Sequence, residues 1–153
     1  MKLIAHRGNI NGKSELENSP EYILQALQLG YDVEIDVWYK DGKIMLGHDE
    51  PKYDFTWSLI FDYGEKMWFH AKNVEALNWF IDDEANSLNY FWHDEDDYTL
   101  TSKNYIWTYP EKQLTKKSIC VLPEWNKFKQ DVSGCAGVCS DYIEHYTQRP
   151  KSD

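Results

Sequence analysis

The sequence is short of cysteine, of long apolar runs and of positive charge, and each shortage narrows the possibilities. Cys120, Cys135 and Cys139 are the only cysteines among 153 residues. They are an odd number at no recognised metal-ligand spacing, and two lie in the small-residue run GCAGVC, so they read as buried free thiols suited to a reducing compartment. No segment reaches the about 18 consecutive apolar residues of a membrane helix, and no basic-plus-apolar leader opens the chain. Neither an integral membrane segment nor export is expected, and the expected location is cytoplasmic. Lysine and arginine total 16 against 26 acidic residues, a formal net charge of -10. Such a surface repels nucleic acid and anionic membranes, and an anionic small-molecule substrate would need a locally inverted field. Internal repeats and low-complexity linkers are also missing. The length fits one domain over residues 1–153, with about 146–153 as a frayed tail.

Aromatic residues are plentiful at 16%, including seven Trp and eleven Tyr. A modest number of large side chains must therefore fill the interior. Apolar or alternating runs bounded by turn signals predict strands at 2–6, 31–39, 43–48, 67–72, 88–93, 104–109, 117–122 and 136–141. Between the first two, Ser19 as N-cap, Pro20 at the first helical position, Ile23, Leu24 and Leu27 on one face and Gly30 as the stop predict a helix. A second helix is expected over 74–84, where Val74, Leu77 and Ile81 recur at helical spacing and Trp79 and Phe80 broaden the stripe. Alternating strands and helices imply parallel pairing. From 94 to 116 the chain offers polar and acidic turns without an amphipathic helix, and a short helix is expected at 125–133.

The segment YDVEIDVWY alternates: Val33, Ile35 and Val37 face one way, Asp32, Glu34 and Asp36 the other. Carboxylates on one face of a strand need water, a partner or a metal, although a surface hairpin also permits the pattern. Asp41-Gly42 reads as a type I′ turn that folds the strand back, setting 40 opposite 43, 38 opposite 45 and 35 opposite 48, so that His48 returns beside Glu34 and Asp36. In a right-handed strand-helix-strand unit the first strand pairs with 32–38, which brings His6 and Arg7 to the same edge. WFHAKN alternates as well and aims His70 and Lys72 there. Two imidazoles can supply general acid and base, and carboxylates, arginine and lysine can hold a metal and a phosphoryl group, a set that fits phosphodiester cleavage. His70 reads either as a ligand or as an interior histidine. His93, Trp107 and Asp141 are further candidates for the pocket wall.

AHRG at 5–8, ENS at 17–19, EIDV at 34–37 and HD at 48–49, in this order and spacing, resemble the signature of glycerophosphodiester phosphodiesterases within the phospholipase-C-like phosphodiesterases. YIWTYP and GVCSDY resemble that family's last two strands. The resemblance implies an α/β fold of the (β/α)8 TIM-barrel type. Because such a barrel usually needs about 250 residues, a compact, trimmed version is expected, with helices missing in the second half. It implies metal-dependent hydrolysis of a small glycerophosphodiester-type substrate. His6 and His48 would be the acid/base pair, Glu34 and Asp36 ligands to one Mg²⁺ or Ca²⁺, Arg7 a phosphate contact, and Glu17 and Asn18 supports of the substrate site from the loop before the first helix. Lys72 would be a further phosphate contact. His70 stands where the family carries a Glu ligand, and an imidazole suits Mn²⁺, Zn²⁺ or iron better. The alternatives are a lyase that releases a cyclic phosphate and a non-catalytic barrel that binds a metal or a phosphate ligand.

Overall fold

The fold is described by a computed structural model for residues 1–82, 85 and 87–147. In chain order the elements are β1 (Lys2–His6), α1 (Pro20–Gln28), β2 (Asp32–Lys40), β3 (Lys43–Leu46), β4 (Tyr53–Asp54), α2 (Trp57–Tyr63), β5 (Met67–Ala71), α3 (Val74–Ile81), β6 (Asn89–Trp92), β7 (Tyr98–Leu100), β8 (Ile106–Thr108), β9 (Ser118–Val121), β10 (Gly137–Ser140) and α4 (Glu144–Thr147). Single 3-10 turns follow α2 and β9.

Local chemistry accounts for the two helices that matter most. The Ser19 hydroxyl accepts a hydrogen bond from the Tyr22 amide at the start of α1, Pro20 occupies the first turn, and Gly30 at φ +96° ends it. Ile23, Ala26 and Leu27 pack against the sheet. Asn73 caps α3 through its side-chain oxygen and also bonds both backbone polar groups of Tyr39. The same side chain thereby ties the start of α3 to the end of β2. Residues 83 and 84, the expected end of this helix, lie outside the described residues.

All ten strands belong to one mixed sheet. Seven of them, β6, β5, β2, β1, β10, β9 and β8, are successively parallel neighbours. The nine-residue β2 organises this arrangement. One of its edges pairs with β5, and the other is divided between β1 at Asp32–Glu34 and β3 at Val37–Lys40. Its Val33, Ile35 and Val37 enter the outer core with Ala5, Met67, Phe69 and α1. The opposite face forms a smaller core of Ile4, Trp68, Phe91, Trp107, Ile119, Val121 and Cys139. Phe91 on β6 and Trp107 on β8, at opposite ends of the parallel run, have ring centroids only 4.6 Å apart. The sheet is therefore curled.

The expected trimmed (β/α)8 barrel is not what forms. That fold needs eight parallel strands, each followed by a helix. Here the described residues form four short helices, and the mixed sheet curls into a half-barrel. The physical reason lies after α3. The segment between β6 and β8 is too short and polar for a packing helix and instead makes β7, antiparallel to β8. No ladder joins β6 to β7 or β8 among the described residues; the seam relies on separate bonds, such as the Ser102 amide to the Tyr90 carbonyl and the Thr99 hydroxyl to the Trp92 carbonyl. The helix expected at 125–133 is also absent, replaced by the 3-10 turn Pro123–Asn126 and irregular chain. Tyr146, expected in the frayed tail, is buried in α4. Residues 148–153 lie outside the described residues.

All three cysteines are free, and burial pushes the Cys120 thiol up to about 12. Among the described residues no helix is long and apolar enough to cross a membrane.

Candidate metal and phosphate site

The C-terminal ends of β1, β2 and β5 meet at a cavity of about 530 Å³, whose wall includes His6, Arg7, Glu34, His48, His70, Lys72 and Asp141. Register brings them there. His6 pairs with Glu34, and Asp36 pairs with His70. Both carboxylates point away from Val33, Ile35 and Val37, toward the concave side, and each is 1% exposed. The hairpin after β2 has the expected register, with Lys40 opposite Lys43 and Trp38 opposite Met45, but its ladder ends at Leu46. Gly47 then turns the chain where a Cβ would collide with the Glu50 carbonyl. That turn brings the His48 Nδ1 atom 3.5 Å from Asp36 Oδ2.

His6 bridges two acids. Its Nδ1 lies 2.7 Å from Asp141 Oδ1, and its Nε2 lies 3.6 Å from Glu34 Oε2. Burial opposes the imidazolium, but the Asp141 hydrogen bond and the Glu34 charge outweigh it and raise the His6 pKa above its ordinary value. Asp141 shows the converse. Burial would push it up, yet the His6 bond and charge, with the Asn9 bond, hold it below the usual carboxylate range.

The two buried carboxylates of β2 differ in kind. Burial, reinforced by neighbouring Asp36, raises the Glu34 pKa, and Glu34 Oε2 has no hydrogen-bond partner. Burial would also raise Asp36, but the ring nitrogens of His48 and His70 and the Arg7 charge hold it well below the usual range. Arg7 Nε sits 3.2 Å from Asp36 Oδ2. Asn18 completes the clamp, accepting from the Asp36 amide at 3.0 Å and donating to Asp36 Oδ2 at 2.9 Å.

Glu34, Asp36 and His70 each offer one ligand atom within 4.8 Å of the others, so these three residues could hold a metal ion. His70 Nε2 donates to the His93 carbonyl at 2.9 Å. Nδ1, which faces Asp36 Oδ1 at 3.2 Å and Glu34 Oε1 at 3.9 Å, then either carries the proton that bonds Asp36 or, with that proton gone, offers its lone pair to a cation. Electron pairs so placed need a proton or a cation between them. The unpartnered oxygen of Glu34 makes the same demand, and the mixed oxygen and nitrogen donors fit a transition-type divalent ion.

Arg7 adopts φ +56°, a conformation that carries its side chain back over the strand ends. Its guanidinium donates to Glu17 Oε2 at 3.2 Å and to His48 Nδ1 at 2.8 Å. Glu17 and Asn18 thus hold Arg7 and Asp36 from behind, and neither is among the residues lining the cavity. Asn9, a residue the sequence reading passed over, is fully buried and joins Glu17, Asp141 and the Tyr22 hydroxyl. It lies one residue beyond HRG in a polar loop, where nothing distinguishes it from a solvated turn residue. Lys13, Tyr109 and Trp125 also line the cavity without a signal in sequence, whereas His93, Trp107 and Asp141 do reach it. Compared with known proteins, the chain matches no family model, no curated protein and no solved structure.

Proposed function

We propose that this chain is a metal-dependent phosphodiesterase acting on small glycerophosphodiester-type substrates, a reading that keeps the motif resemblance to glycerophosphodiester phosphodiesterases without their barrel. One observation carries it: a partly buried, acid-bound histidine, His6, lines one cavity with Glu34 and His70, which with Asp36 form the donor group, and with the cations Arg7 and Lys72. Arg7, fixed by Glu17 and Asp36, and Lys72 at the end of β5 bind the non-bridging oxygens of the diester. The Asp141 hydrogen bond and the Glu34 charge favour the protonated form of His6, which suits it to protonate the leaving alkoxide. His48, half exposed beside Arg7 and Asp36, takes the proton from the attacking hydroxyl, of the substrate or of water, at Nδ1, whose lone pair Arg7 releases when its guanidinium turns to the diester. A divalent cation held by Glu34, Asp36 and His70 would supply Lewis-acid neutralisation of phosphoryl charge.

The test is turnover of glycerophosphodiesters and of a generic aryl diester with Mg²⁺, Ca²⁺, Mn²⁺ or chelator, comparing the parent with His6→Ala and Glu34→Ala. Metal-dependent turnover that each substitution lowers by ~10²-fold or more is expected. Turnover indifferent to chelator and to both substitutions would refute the proposal. Whether the phosphorus product is open or cyclic separates hydrolysis from lyase chemistry.

A further inference from the structure

The far wall of the cavity differs in chemistry from the wall that carries the histidines. Tyr109 and Pro110 follow β8, and Leu122 and Trp125 belong to the turn after β9. Trp125 is 57% exposed and Tyr109 40%, and their rings meet edge to face with centroids 6.2 Å apart. Two large aromatic rings thus form an open corner at the cavity mouth. The turn that carries Trp125 is built with strain and anchored firmly. Leu122, Lys127 and Phe128 all have positive φ, at 49°, 60° and 59°, a conformation that residues other than glycine, asparagine and aspartate rarely adopt. Glu124 holds the turn down by accepting from the Ser140 hydroxyl at 2.7 Å and from the Asp141 amide at 2.8 Å. Phe128 stacks on His145 at 4.0 Å and fixes the far end. Strain that the surrounding bonds enforce, with an exposed tryptophan at its apex, is the pattern of a ligand-holding segment rather than of a passive connection.

We propose that this aromatic corner is the subsite for a ring on the alcohol half of the substrate, so that the preferred diester carries an aromatic or other planar alcohol. The proposal rests on the phosphodiesterase reading above and narrows its substrate class. Glu124 couples the two halves, because the carboxylate that anchors the turn also bonds the backbone of Asp141, the partner of His6. A ring is favoured over a quaternary ammonium group because the exposed surface of this wall is ring surface from Trp125 and Tyr109, and among the described residues the one exposed carboxylate on the cavity lining is Asp94. Glu124 is already engaged by Ser140 and Asp141, and Asp94 lies beside His93 at the end of β6.

The experiment is calorimetric binding of phenylphosphonate and methylphosphonate to the parent, Trp125→Ala, Trp125→Phe and Tyr109→Ala proteins in buffer containing Mn²⁺. Both probes present the same phosphonate, and only one adds a ring. The parent should bind phenylphosphonate about tenfold more tightly, the gain typical of one well-placed aromatic contact plus its buried area. Trp125→Ala should abolish the preference without weakening methylphosphonate, Tyr109→Ala should reduce it, and Trp125→Phe should keep most of it. Phosphocholine should bind no more tightly than methylphosphonate. Equal affinity for the two phosphonates, a preference that survives in both alanine variants, or tighter phosphocholine binding overturns the subsite alone. Failure of every probe to bind overturns the phosphate site and the subsite with it.

Discussion

His6 Nδ1 lies 2.7 Å from the Asp141 carboxylate although 135 positions separate the two residues in sequence. The contact joins the first parallel strand to the last, since β1 and β10 are neighbours in register, with Ala5 opposite Ser140. Asp141 is therefore a positioning residue for the imidazole. Asp141→Asn should lower kcat/KM on a cleaved diester by at least ~10-fold. It should also move the alkaline limb of the pH profile to lower pH, because the amide no longer favours the imidazolium. Loss of activity with an unmoved limb would separate Asp141 from His6.

The same pair predicts a pH-dependent stability. The His6 pKa is raised in the fold, so its stabilisation is fully present below the unfolded value of about 6.5. It is lost as pH rises through the higher folded value. In chelator-containing buffer the difference in urea-unfolding free energy between the parent and His6→Gln should therefore be largest below about pH 6.5 and shrink in mildly alkaline solution. A difference that grows with pH would reverse the assignment.

Glu34 predicts an exchange of stability for function. Its carboxylate is buried, lies beside Asp36 and has one oxygen without a hydrogen-bond partner. Glu34→Gln removes that charge at nearly constant shape. In the absence of metal the variant should melt higher than the parent by roughly 2–4 °C, the shift expected for about 1 kcal/mol in a chain of this size. Adding Mn²⁺ should raise the melting temperature of the parent and move the variant much less. Melting curves with and without the ion check both halves.

Asn18 carries a prediction about architecture. It sits at φ +66° and makes two hydrogen bonds to Asp36. Asn18→Ala loses both bonds and keeps the strained conformation, which should cost roughly 2–4 kcal/mol of stability by chemical denaturation. Asn18→Gly relieves the backbone but not the bonds and should fall between the parent and the alanine variant.

Much of the site was legible because it lies on elements whose periodicity fixes direction. The alternation in YDVEIDVWY determines that Glu34 and Asp36 share a face, and Asp41-Gly42 fixes the hairpin register that returns His48. The helix signals of Ser19, Pro20 and Gly30 imply the crossover that pairs β1 with β2. What the chain does after α3 was less legible. The two-residue β4 and three-residue β7 are too short for a periodic pattern, and the lack of helices was visible while its consequence, a curled sheet with no closing ladder, was not. The Trp125 turn was hidden for another reason. Its left-handed positions are occupied by Leu122, Lys127 and Phe128 rather than by glycine or asparagine, so the usual sign of such a conformation is missing. Glu17 and Asn18 were legible by motif, but only the fold shows that they hold Arg7 and Asp36 instead of lining the cavity.

The central claim is that Glu34, Asp36 and His70 together hold one divalent ion. Its most direct test is titration of the chain with Mn²⁺, followed by electron paramagnetic resonance of the free ion, for the parent and for Glu34→Gln, Asp36→Asn and His70→Ala. One tight site per chain in the parent, weakened by at least ~10-fold in each variant, is the predicted result. Absence of stoichiometric binding in the parent, or binding that survives all three substitutions, would contradict it.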